Sequence, residues 1–178
     1  MPRIPYPRPE DPGVADLIEK VRASRNGKLP RLFLMHMHNP AILEAWLALG
    51  TALRYETGLD DRSRELAICM VSRLLEYDYQ YHAHAPIGHA AGLEPEALDR
   101  LPDWELEASF TARDRLVLEL AQTLTGQADV SGDLMTRVTD EFSTPHVMEL
   151  IAMISFYGCG GRFLKALQIS AEDHPELG

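Results

Sequence analysis

Cysteine is scarce in this 178-residue chain: Cys69 and Cys159 stand far apart and no CxxC pair occurs. A dithiol redox motif and a cysteine zinc site are therefore unsupported, a disulfide scaffold fits poorly, and a reducing compartment suits the composition. Clustered basic residues are also missing. Seventeen Lys and Arg face 27 Asp and Glu, for a formal net charge of -10. Binding to a nucleic-acid backbone or an anionic membrane surface needs clustered cations, so neither is expected. The longest apolar run, Val147 to Gly161, is too short by itself to span a bilayer and contains Glu149. The start, MPRIPYPRPEDPG, lacks the apolar segment of a signal peptide. The GCGG at 158–161 has neither the spacing nor the preceding strand of a phosphate or dinucleotide loop. No window alternates with a period of two, so no strand is expected. These absences point to a cytoplasmic protein.

What remains is helical. Hydrophobic residues make up 46% of the chain, enough for one domain with a substantial core. Residues 1–12 hold five prolines and should form an extended arm. Residues 13–178 read as a single all-α domain, a helical bundle of roughly seven or eight helices by apolar periodicity. The boundaries carry their own signals. Asn39-Pro40 is an N-cap followed by proline at the first helical position, Thr111 and Asp114 cap another helix, and Gly92 with Leu93 reads as a helix C-terminus.

Acid, tyrosine and histidine crowd together only in Arg62 to Leu93, RSRELAICMVSRLLEYDYQYHAHAPIGHAAGL. At about 100° per residue, Cys69, Ser72 and Glu76 fall within about 40° of Glu65, a narrow polar stripe on an otherwise apolar helix. Periodicity favours a solvated face for it, with Arg62 and Arg73 at its edge. In the following segment Tyr77, Gln80, Tyr81 and His84 share one face, while His82 and His89 lie on another. On a helix the His82 and His84 rings diverge, so a metal site is not expected. Pro86 should bend that helix or force it to restart. The chemistry on offer is proton transfer: His84 as general acid or base, an acidic partner to orient it, and Tyr77 and Gln80 to hydrogen-bond a carbonyl or carboxylate. Tyr81 and His82 are further candidates for substrate contact.

At these residues the sequence resembles the carboxymuconolactone decarboxylase family, which includes alkylhydroperoxidase D-like proteins. The redox branch of that family has a glutamate, a CxxC pair beginning twelve residues later, and a histidine four residues after the second cysteine. Glu65, Tyr77, Gln80 and His84 occupy those four positions. RSRELAICMVSRL, HAPIGHAAGL, HNPAILEAWLALGTALR and RIPYP resemble the flanking segments, and the similarity covers residues 30–170, strongest over 62–93. The resemblance implies an all-helical, alkylhydroperoxidase D-like fold that assembles as dimers, trimers or hexamers. It also implies a catalytic His84–Glu65 pair. With Tyr77 and Gln80 at the cysteine positions, a thiol–disulfide cycle loses both of its sulfurs. The acid–base half remains, as in the decarboxylase branch, which acts on a small carboxylated lactone without metal or organic cofactor. Two alternatives stand beside this lyase-type reading: a peroxidase-like redox role through Cys69 and Cys159, and a non-catalytic helical oligomer that binds a ligand.

Overall fold

The computed structural model describes residues 2–127 and 129–173. Among them there is no strand, and the helices run in the order α1 (Val14–Ser24), α2 (Arg31–His36), α3 (Pro40–Thr51), α4 (Asp61–Leu74), α5 (Asp78–Ala90), α6 (Pro95–Asp99), α7 (Ala112–Gly126), α8 (Gly132–Glu141) and α9 (Thr144–Leu167). A π-helical segment, Ala52–Glu56, extends α3, and a 3-10 segment, Leu101–Leu106, follows α6. Among the described residues the order exceeds the expected seven or eight helices, with α2 and α6 only six and five residues long.

The described residues form two compact units, one running up to Glu56 and resuming at Phe163, the other spanning Thr57–Arg162. In the first, Val14, Ile18 and Val21 of α1 pack with Leu34 of α2 and Leu43 and Leu47 of α3. His36 lies in this core with its ring stacked 4.7 Å from that of Trp46. Its Nδ1–H donates to the Leu32 carbonyl at 2.7 Å. Burial pushes its pKa below the ordinary value, against the pull of that carbonyl. Residues 2–12 contain no helix. Arg3 N–H donates to Leu167 O at 2.8 Å, and the Tyr6 hydroxyl to Asp173 at 2.9 Å.

The second unit is built on α4. Asp60 caps it, accepting from the Ser63 N–H at 2.8 Å. Leu66, Ala67, Cys69, Met70 and Val71 then enter one core with Val117, Leu118, Leu120 and Ala121 of α7 and Leu150 and Ile154 of α9. Each such large aliphatic side chain contributes about 1.5–3 kcal/mol when fully buried. Expected termini appear here too. Thr111 and Asp114 form a reciprocal capping box. After α5, Leu93 N–H donates to Gly88 O at 3.0 Å and Gly92 N–H to His89 O at 2.9 Å, with Gly92 at φ 88°. That is the pairing of a left-handed helix C-terminus.

One sequence expectation is corrected in part: α5 runs through Pro86 from Asp78 to Ala90 without restarting. Pro86 and His82 are both exposed, and the proline leaves the His82 carbonyl without its amide partner. The apolar run Val147 to Gly161 is the middle of α9. The full helix is long and apolar enough to cross a membrane by length and composition, yet half of its most apolar window is buried within the protein. A core helix meets the same test.

Candidate functional site

Glu65 is fully buried in the second turn of α4. An ionised carboxylate survives there only with partners for its oxygens. His84 Nδ1 lies 2.7 Å from Oε2, and Arg64 Nε donates to Oε1 at 3.2 Å. Arg64 is itself nearly buried and held on its outer side by Asp61 at 2.6 Å. A carboxylate can only accept, so the bond to His84 places the imidazole proton on Nδ1 and directs proton exchange to Nε2. His84 is 12% exposed: shielded, but within reach of solvent.

Backbone geometry brings the two side chains together. Gly88, one turn after His84, faces α4 with no side chain of its own. A methyl group there would meet Leu93 Cδ1 at 3.1 Å and Glu65 Cβ at 3.6 Å. The tight neighbour is the Leu93 side chain at the end of α5, while Glu65 of α4 lies at ordinary contact distance. From α9, Tyr157 sets its ring edge-on to the His84 imidazole, centroids 4.9 Å apart.

The polar stripe of α4 does not face solvent as periodicity suggests. Glu65 and Cys69 are fully buried and Ser72 is 1% exposed. Ser72 Oγ donates to the Ile68 carbonyl at 2.7 Å and accepts from Gln80 Nε2 at 2.9 Å. The stripe is thus an internal seam between α4 and α5, with Glu65 bonded to His84 and Ser72 to Gln80. Only Glu76 leaves it. At φ 53° it ends α4, with Tyr77 N–H donating to Ser72 O at 2.7 Å.

The side chains expected to share a face with His84 part company. Tyr77 precedes α5 rather than riding on it, and its ring lies against Gly161 of α9. Burial pushes its phenol pKa up, and the nearby Arg162 pulls the other way. Gln80 is buried and spends its amide N–H on Ser72. Tyr81 turns to α6, its hydroxyl donating to Asp99 at 3.0 Å under the Arg73 guanidinium. Burial, then that bond, push its phenol up to about 12. His82 is exposed beside the Tyr81 ring. His89 is exposed, its ring bonded to the Leu93 carbonyl. Among the described residues no three His, Cys, Asp or Glu side chains gather as a metal site.

Cys69 is buried and Cys159 exposed. Burial, with Glu65 one turn away, pushes the Cys69 thiol up. Sequence reasoning misses Arg64, Gly88 and Tyr157. Adjacent helix residues such as Arg64 and Glu65 do not ordinarily face each other, and Tyr157 comes from a distant helix.

The sequence model of the carboxymuconolactone decarboxylase family matches residues 40–123. No curated protein matches the chain. Among solved structures, the chain is similar to a peroxidase-related protein from Ralstonia eutropha JMP134, described as an alkylhydroperoxidase AhpD core. The TM-score is 0.80 at 22% identity over 97% of this chain and 93% of that one. A peroxidase-related protein from Silicibacter sp. TM1040 gives 0.78 at 18% identity over 94% and 89%. A debrominase in complex with 2,3,4-tribromopyrrole gives 0.74 at 16% identity over 94% and 90%. These likenesses establish an alkylhydroperoxidase D-like helical fold.

Proposed function

Because residues 40–123 match the model of the carboxymuconolactone decarboxylase family, we propose that the Glu65–His84 pair is the acid–base centre of a lyase-type enzyme. The reading is supported above all by one contact: His84 Nδ1 to a fully buried Glu65 carboxylate at 2.7 Å. His84 Nε2 moves the proton. Glu65 orients the ring and stabilises the imidazolium, and Arg64 holds Glu65 in place. The substrate is a small carboxylated or lactone compound. Loss of carbon dioxide leaves an electron pair on carbon, delocalised into the adjoining carbonyl, and His84 returns a proton to it. The chemistry asked of the protein is proton transfer and electrostatic stabilisation, for which this pair suffices without a cofactor. Tyr77, Gln80, Tyr81 and His82 are assigned to substrate contact. For Gln80 only the amide oxygen serves, since its N–H group is bonded to Ser72. Copies of the chain associate in this reading, which exposed Ile42 and Leu49, two turns apart on α3, support.

The redox alternative is weakened by Tyr77 and Gln80 at the thiol positions and by a Cys69 thiol that burial keeps protonated. A purely ligand-binding oligomer has no use for a buried carboxylate aligned on an imidazole. The test is a screen of lactones and keto acids for turnover by wild type and His84→Ala, with circular dichroism to verify the fold. Turnover should disappear in the variant while the helical signal stays. Undiminished turnover removes His84 from the mechanism.

A further inference from the structure

A cavity of about 250 Å³ opens between the C-terminal ends of α4 and α7 and the middle of α9. Neither Glu65 nor His84 lines it. Leu75, Leu124 and Ile154 form apolar walls, and Arg162 and Ser155 bring a guanidinium and a hydroxyl. The third polar contributor is Thr125. A threonine in the last turn of a helix ordinarily bonds back to a carbonyl one turn earlier. Here Thr125 Oγ1 is buried and has no hydrogen-bond partner, a donor waiting for an acceptor.

Arg162 is equally underused. Its NH1 donates to the Gly158 carbonyl at 2.9 Å, and among the described residues no carboxylate pairs with it. A methyl group at 158 would meet NH1 in ordinary contact at 3.4 Å, whereas Gly161 makes room for Tyr77 on the neighbouring face.

We propose that this cavity is a second ligand site, taking a small organic monocarboxylate with an apolar body. The carboxylate sits on Arg162 and accepts from Thr125, and the body lies between Leu75, Leu124 and Ile154. Planar guanidinium favours a carboxylate. Among the described residues Arg162 is the only cation lining the space, so a doubly charged phosphate would be left half-neutralised. The volume falls below the ~300–1,000 Å³ of clefts for drug-sized ligands, which limits the guest to a small molecule.

The probes are benzoate and hexanoate, titrated calorimetrically into the full chain, with benzyl alcohol and inorganic phosphate as controls. At least one acid should bind wild type, and Arg162→Gln should weaken it about tenfold or more, Thr125→Val several-fold. The neutral alcohol and phosphate should bind about tenfold more weakly than the acid. His84→Ala should bind the acid as wild type does, which separates this site from the acid–base centre. Failure of both acids to bind at about 10 mM, or equal affinity in a folded Arg162→Gln variant, overturns the proposal. Loss of binding in His84→Ala with retention in Arg162→Gln overturns it too, and assigns the acid to the catalytic pair.

Discussion

The ring of Tyr77 rests on the bare α-carbon of Gly161. A methyl group at 161 would fall 1.6 Å from Cε2 and 1.7 Å from Cδ2. Glycine in a helix interior costs about 1 kcal/mol relative to alanine. The penalty is accepted here because a neighbouring aromatic side chain, not a second backbone, occupies the space.

Gly161→Ala should therefore destabilise the protein despite its higher helix propensity. The buried ring cannot swing into solvent, so an overpacking cost of about 1–3 kcal/mol outweighs the propensity gain. In a Tyr77→Ala background the same change should be neutral or stabilising. Urea denaturation of the four proteins in a double-mutant cycle checks this, and a coupling near zero would disprove the contact.

Glu65→Gln keeps the shape of the side chain but removes the charge that stabilises the imidazolium. Turnover should fall about 100-fold or more, carried by kcat, with KM little altered, because Glu65 touches the base and not the substrate. A rise in KM at unchanged kcat would instead make Glu65 a substrate ligand. Glu65→Ala should in addition lose roughly 3–5 kcal/mol of stability, since it breaks a buried ion pair.

Much of this fold is legible in one sequence. Asn39, Thr111 with Asp114, and Gly92 announce helix ends through side-chain chemistry that acts within a few residues, and all appear where expected. The site is less legible for a physical reason. A polar stripe on an apolar helix looks the same whether it meets water or another helix's polar groups. Periodicity alone leaves Glu65 and Ser72 in solvent; His84 and Gln80 of α5 are what satisfy them. The spacing shared with a known family points to the Glu65–His84 pair. Neither route reveals that Tyr77 belongs with Gly161 or His84 with Tyr157, because nothing local to either residue encodes a partner on α9.

Asp114 joins α7 to α4. Arg62 donates to both of its carboxylate oxygens at 2.9 Å, and the Thr111 N–H donates to Oδ2. Burial raises the carboxyl, and Arg62 and Thr111 outweigh it, holding the pKa below the ordinary 3.8. A group depressed in the folded state adds stability above its unfolded value and loses it as pH falls through the folded one. Asp114→Asn should thus cost about 2 kcal/mol at neutral pH. The gap to wild type should narrow once pH drops below 3.8. Parallel urea titrations across that range check it; a gap that persists unchanged in acid would mean that charge plays no part.

The two cysteines should differ sharply in reactivity. Cys159 is exposed on α9, whereas Cys69 is fully buried with its thiol pushed up by burial and by Glu65. Since the thiolate is the reactive form, a thiol reagent at neutral pH should modify Cys159 in the native protein and reach Cys69 only on unfolding. Cys159→Ser should abolish native labelling, and mass spectrometry of the labelled peptides identifies the site. Rapid native labelling of Cys69 would show a thiolate available beside Glu65 and revive the redox reading. The complementary assay is peroxide reduction by the Cys69→Ser, Cys159→Ser double variant. A wild-type activity lost in that variant would place sulfur in the chemistry; an activity retained by it would exclude sulfur altogether.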